Sequence, residues 1–346
     1  MKKVLLTIII ILLLAVPVSA MEFTAPPVPE AGADFLPDEP ETFAQGLWMI
    51  VREAVDYLQP SLAEAAGVCM CLIAAIMLLS LAQSLPGASE RITNLIGTLT
   101  VAVLMLQPAS ALISLGVQTV TELSEYGKLL LPVMTAAVAA QGGAVTSAAL
   151  YTGTVLFDAL LSSAISQIIV PMVYVFLALS IANSAVGEGM LGKLRDFIKW
   201  LMTWSLKIIL YIFTGYISIT GVVSGTADAA AIKAAKLTIS GMVPVVGSIL
   251  SDASETILVS AGVMKSAVGV YGLLAVLAVW IGPFVRIGVQ YILLKVTGAV
   301  CGVFGAKQPV SLILDFTKAM GMLLAMTSAV CLLLLISTVC LMKGVG

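Results

Sequence analysis

The chain has 346 residues, 60% apolar and only 10% charged, with a mean hydropathy of +1.12. Soluble domains carry about 25% charge, so the composition reads as an all-α polytopic membrane protein and excludes an ordinary soluble domain. The absence of histidine excludes His-ligated metal sites, Ser-His-Asp triads and the HExxH zinc motif, and a net charge of −2 argues against nucleic acid as a partner.

Lys2 and Lys3 precede an apolar run over 4–16, and Val18-Ser19-Ala20 has the small-residue spacing of a signal-peptidase site. Residues 1–20 are therefore expected to be a signal peptide, with an uncleaved first helix as the alternative. The chain beyond Ala20 is then extracytoplasmic. Over 22–40 five prolines alternate with Glu30, Asp34, Asp38 and Glu39, which predicts an extended, mobile segment.

Thr42 with Gln45 signals a helix start, and Leu47, Ile50, Val51, Ala54 and Leu58 share one helical face until Pro60, where the helix is expected to stop. This amphipathic helix is expected to lie on the membrane surface or to dock another protein, and it closes an acidic extracytoplasmic segment over 21–64. A polytopic domain over 65–346 comes next, opened by a second capping pair, Ser61 and Glu64.

Uncharged runs over 65–89, 92–121, 129–157, 159–187, 208–227, 266–285 and 319–342, with 287–306 interrupted only by Lys295, predict a helical bundle of about seven to nine spans. Basic residues favour the cytoplasmic side, which puts Arg91, Lys193, Arg195, Lys199, Arg286 and Lys343 inside and Glu122 and Glu125 outside. Between Lys128 and Glu188 the chain must cross once or three times, with Gln141-Gly142-Gly143 and Pro171 as candidate breaks.

Gly187-Glu188-Gly189-Met190-Leu191-Gly192-Lys193 matches GxGxxG and most of a P-loop. Leu194 stands where a P-loop needs Ser or Thr, and an apolar span precedes it instead of a strand, so a turn into a basic helix over 191–201 is expected. The five cysteines lie in apolar spans without a CxxC, and Cys69 and Cys71 project about 200° apart on a helix, so they read as small packing residues. No catalytic, cofactor-binding or metal residues are expected.

Over 233–272 the sequence reads KAAKLTISGMVPVVGSILSDASETILVSAGVMKSAVGVYG. Pro244 and Gly247 break an apolar stretch, and Asp252 with Glu255 begins a new helix. Broken backbone at membrane depth must be satisfied by protein or water, which makes Pro244, Gly247, Asp252, Glu255 and Lys265 candidates for a polar lining or subunit contact, with a surface turn as the alternative. Asp158, Arg286 and Lys295 are further intramembrane ionisable groups, expected to face protein or to snorkel. Gly221 with Gly225 and Gly298 with Gly302 have the spacing that permits close helix packing.

The segment over 233–272, above all VPVVGSILSDASETIL, resembles the signature of the stage III sporulation protein AE family, and the likeness extends over nearly the whole chain. The resemblance implies a non-enzymatic subunit of the channel, or feeding tube, joining mother cell to forespore in endospore-forming bacteria. It implies the mother-cell membrane around the forespore as location, and as partners the other stage III sporulation A-operon proteins and the forespore-side channel partner, beside the lipid bilayer and possible further copies of the chain. The family brings no catalytic residues to carry over. A self-sufficient secondary transporter with a broken-helix substrate site is the alternative.

Overall fold

Proline ends fewer helices here than the sequence predicts. The computed structural model describes residues 26–36, 42–86, 89–140, 144–187, 190–219 and 267–343, which are helical almost throughout, with no strand among them. Helix α1 (Glu30–Ala33) is one turn. The long helices are α2 (Phe43–Gln83), α3 (Glu90–Ala140), α4 (Ala144–Ala164), α5 (Val170–Val186), α6 (Met190–Ile219), α7 (Ala267–Gly302) and α8 (Lys307–Lys343), and a π turn over Ile165–Ile169 joins α4 and α5 into one rod. The described residues thus hold 6 helices long and apolar enough to cross a membrane, close to the expected count. The protein is an all-α polytopic bundle.

Helix α2 begins as expected, with the Gln45 N–H donating to Thr42 Oγ1 at 3.2 Å. It does not stop at Pro60. A proline inside a helix removes one N–H bond and crowds the carbonyl four residues back, yet the helix continues to Gln83. Ser61, expected to cap a new helix, instead donates its hydroxyl to the Tyr57 carbonyl at 3.0 Å. Pro171 is accommodated differently, by the π turn immediately before it, whose wider spacing makes room for the ring. The chain therefore crosses once between α3 and α6.

Pro283 also lies within a continuous helix, so the two spans expected over 266–285 and 287–306 are one, and Arg286 is not a loop residue. That correction changes the topology. At one end of the bundle Gln83 Nε2 donates to Asn94 Oδ1 at 3.1 Å, Thr98 Oγ1 to the Ser184 carbonyl at 3.3 Å, and Ser80 Oγ to the Phe304 carbonyl at 3.1 Å. At the other end Gly269 packs against the Met342 side chain, where an added Cβ would lie 2.8 Å from Cγ. Helices α2, α4–α5 and α7 thus run one way, and α3, α6 and α8 the other. Arg91, Lys193 and Arg195 share an end, as expected, but α8 carries the chain to Lys343 at the opposite one.

Helix α8 is the axis. It packs on α3, α4, α5, α6 and α7, and residues 322–335 are buried without exception. The outer helices turn apolar residues such as Val103, Leu78 and Trp48 outward, as lipid contact requires.

The acidic, proline-rich segment is not wholly extended. Residues Glu30–Ala33 form α1, and Phe35 is buried with Ile50, Leu274 and Ala278, its ring edge-on to Tyr57 at 5.4 Å. These contacts anchor what composition alone reads as mobile. Gly32 permits the approach: a Cβ there would stand 2.9 Å from the Val279 backbone nitrogen. Gly32→Val is expected to lift α1 from α7 at a cost of about 1 to 3 kcal/mol. Limited proteolysis should then cut the segment before α2 faster, while the melting temperature of the bundle stays within its usual error.

Candidate functional site

Helical spacing brings polar residues of three helices to one place. Ser61 and Glu64, three apart, share a face of α2, and Arg286 and Gln290, four apart, share a face of α7. With Gln107 of α3 they line a cavity of about 300 Å³ whose remaining wall is apolar, including Ala65, Val68, Leu112 and Leu115. Arg286 Nη2 donates to both Glu64 oxygens, at 2.7 and 2.8 Å. The guanidinium keeps Nη1 and Nε free of acceptors among the described residues. Gln290 is buried, and its Nε2 has no partner among those residues either. The pair remains open on one side, with the Glu64 side chain 65% and the Arg286 side chain 39% exposed.

A second ionic cluster holds α6 to α8. Arg195 Nη1 reaches Asp315 Oδ2 at 2.6 Å, and Lys318 Nζ reaches Asp315 Oδ1 at 2.7 Å. The Asp315 side chain is 0% exposed, so each oxygen has its own cation. Arg195 also contacts the exposed Asp196 at 3.0 Å. This arrangement is a clamp between helices.

Asp158, expected to face protein, does so: it is buried, and Ser124 Oγ donates to its Oδ2 at 2.7 Å. Its Oδ1 has no partner among the described residues. Ser124→Ala should therefore cost about 1 to 3 kcal/mol, because the buried carboxyl loses that donor. Asp158→Asn, which still accepts from Ser124, should cost less in the same detergent melting experiment. Lys295 is exposed, with Nζ 5.9 Å from the Tyr291 ring centroid, at the outer reach of a cation–π contact. Asp158, Arg286 and Lys295 do not meet. Pro244, Gly247, Asp252, Glu255 and Lys265 lie outside the described residues.

The match over Gly187 to Lys193 is a helix junction. Gly187 takes a φ of 76° and caps α5 by donating its N–H to the Asn183 carbonyl at 3.0 Å, and α6 starts at Met190. Cys69 is buried and Cys71 exposed, the opposite faces their spacing requires; Cys301, Cys331 and Cys340 are buried as well.

Sequence reasoning missed Gln290, Asp315, Lys318 and the role of Glu64 as an ion-pair partner. Glu64 looked like a helix cap. Asp315 carried a usable signal, a lone acid inside the apolar stretch LILDF with a lysine three residues on.

Residues 42–345, which include all six long helices, match the family model for stage III sporulation protein AE. Stage III sporulation protein AE of Bacillus subtilis strain 168 is 23% identical over 236 residues, covering 68% of this chain and 59% of that protein. The match thus spans less than two thirds of the relative's length. No solved structure matches the chain.

Proposed function

We propose, from the premise that this chain belongs to the stage III sporulation protein AE family, that it is a non-enzymatic multi-pass subunit of a channel complex between mother cell and forespore. In this reading it sits in the mother-cell membrane around the forespore, with its mature amino end extracytoplasmic. It assembles with the other A-operon proteins and a forespore-side partner, and it sustains late forespore gene expression. The observation that carries the reading is the family match, because it covers the whole bundle. Packing supports a subunit over a self-sufficient permease: a buried helix, α8, fills the centre where a path through the chain would run. Passage between chains needs no such path.

Deletion of the coding sequence in a spore-forming host is the test. It should abolish heat-resistant spores and late forespore reporter activity, and crosslinking in sporulating cells should recover A-operon proteins. Normal sporulation of the deletion strain would overturn the reading. Gradient-driven solute uptake by the purified chain alone in liposomes would establish the transporter instead.

A further inference from the structure

The cavity between α2, α3 and α7 has the features of a small-molecule site. Its volume of about 300 Å³ lies at the lower edge of ligand pockets, which run from about 300 to 1,000 Å³, and this suits a ligand of small size. A buried amide donor, Gln290 Nε2, has no partner there among the described residues. Leaving such a group unsatisfied is costly, so an acceptor arriving from outside would be favoured. One helical turn away Arg286 spends only Nη2 on Glu64. The unused edge of a guanidinium suits a carboxylate held by two parallel bonds.

Charge narrows the class further. Arg286 and Glu64 already neutralise each other, so a bare carboxylate entering the cavity would bring an uncompensated charge into a partly desolvated place. A ligand that also carries an ammonium group avoids this, because the ammonium can take the free lone pairs of Glu64 while the carboxylate takes Arg286 and Gln290. The apolar wall of Ala65, Val68, Leu112 and Leu115 would receive an aliphatic side chain. We propose that this cavity binds a small aliphatic α-amino acid as its zwitterion. The assignment does not rest on the channel reading and holds for a subunit or a transporter alike.

The test is equilibrium dialysis of the purified full chain in detergent against labelled L-leucine, L-valine and L-alanine. At least one should bind saturably. Leucinamide, which lacks the carboxylate, and N-acetyl-leucine, which lacks the ammonium, should both fail to compete. R286Q and E64Q should each weaken binding by about tenfold or more, the loss of one charge-assisted contact. Q290M keeps the volume and the ion pair but removes the donor, and should weaken binding by about fivefold. If either charge variant fails to fold, Q290M decides, because it leaves Arg286 and Glu64 in place. Absence of saturable binding for all three amino acids, equal competition by leucinamide, or unchanged affinity in Q290M would each overturn the proposal.

Discussion

Replacing Asp315 by alanine lowers the stability of the bundle by about 3 to 5 kcal/mol, the cost of leaving buried charge without its partner. The carboxylate is fully enclosed and divides its two oxygens between Arg195 and Lys318. Once it is removed, Arg195, whose side chain is 13% exposed, faces Lys318 and Lys199 with no buried acid between them. Asp196 supplies the control. It touches the same arginine but is 62% exposed, so Asp196→Ala should cost only about 0 to 1 kcal/mol. Thermal unfolding in detergent compares the two directly. Equal losses would mean that the clamp between α6 and α8 is no stronger than a surface pair.

The second large effect separates the axis of the bundle from its rim. Ala329 lies on α8 with 0% exposure, while Val103 on α3 is 71% exposed. Both sit in apolar surroundings, so a hydrophobicity scale does not distinguish them. Volume does. A phenylalanine at 329 must displace packed side chains at a cost of about 3 kcal/mol, whereas fluid acyl chains yield to one at 103. Ala329→Phe should reduce the melting temperature and the yield of monodisperse protein, and Val103→Phe should leave both unchanged. Similar behaviour of the two variants would show that α8 faces lipid.

Much of the fold was legible because burial in a membrane and burial in a core leave the same mark, an uncharged run. Thr42 and the opposed faces of Cys69 and Cys71 stand where local rules put them, while Gln141-Gly142-Gly143 lies outside the described residues. The misreadings share one cause. Runs were bounded by charge and proline, but Arg286 is a charge inside a helix, neutralised by Glu64 from a helix more than two hundred positions away in sequence. Pro60 and Pro283 lie inside continuous helices and Pro171 follows directly on a π turn, so none of the three marks a helix end. Phe35 failed in the opposite direction: a single aromatic residue outweighed the prolines and acids around it. Pairing across long separations is invisible to any window of sequence, and the cavity consists entirely of such pairings.

The position of α8 also bears on how the protein is made. The ribosome delivers this helix after every helix that packs around it, so α3 to α7 enter the membrane without the surface that will bury them. The clamp shows the interval most plainly. Arg195 and Asp315 are separated by 120 residues, so at about 5 to 20 residues per second the arginine waits roughly 6 to 24 s for its counter-ion. During that time α3 to α7 lack the helix against which they pack, and the contacts that define the centre of the bundle wait for the last of its elements.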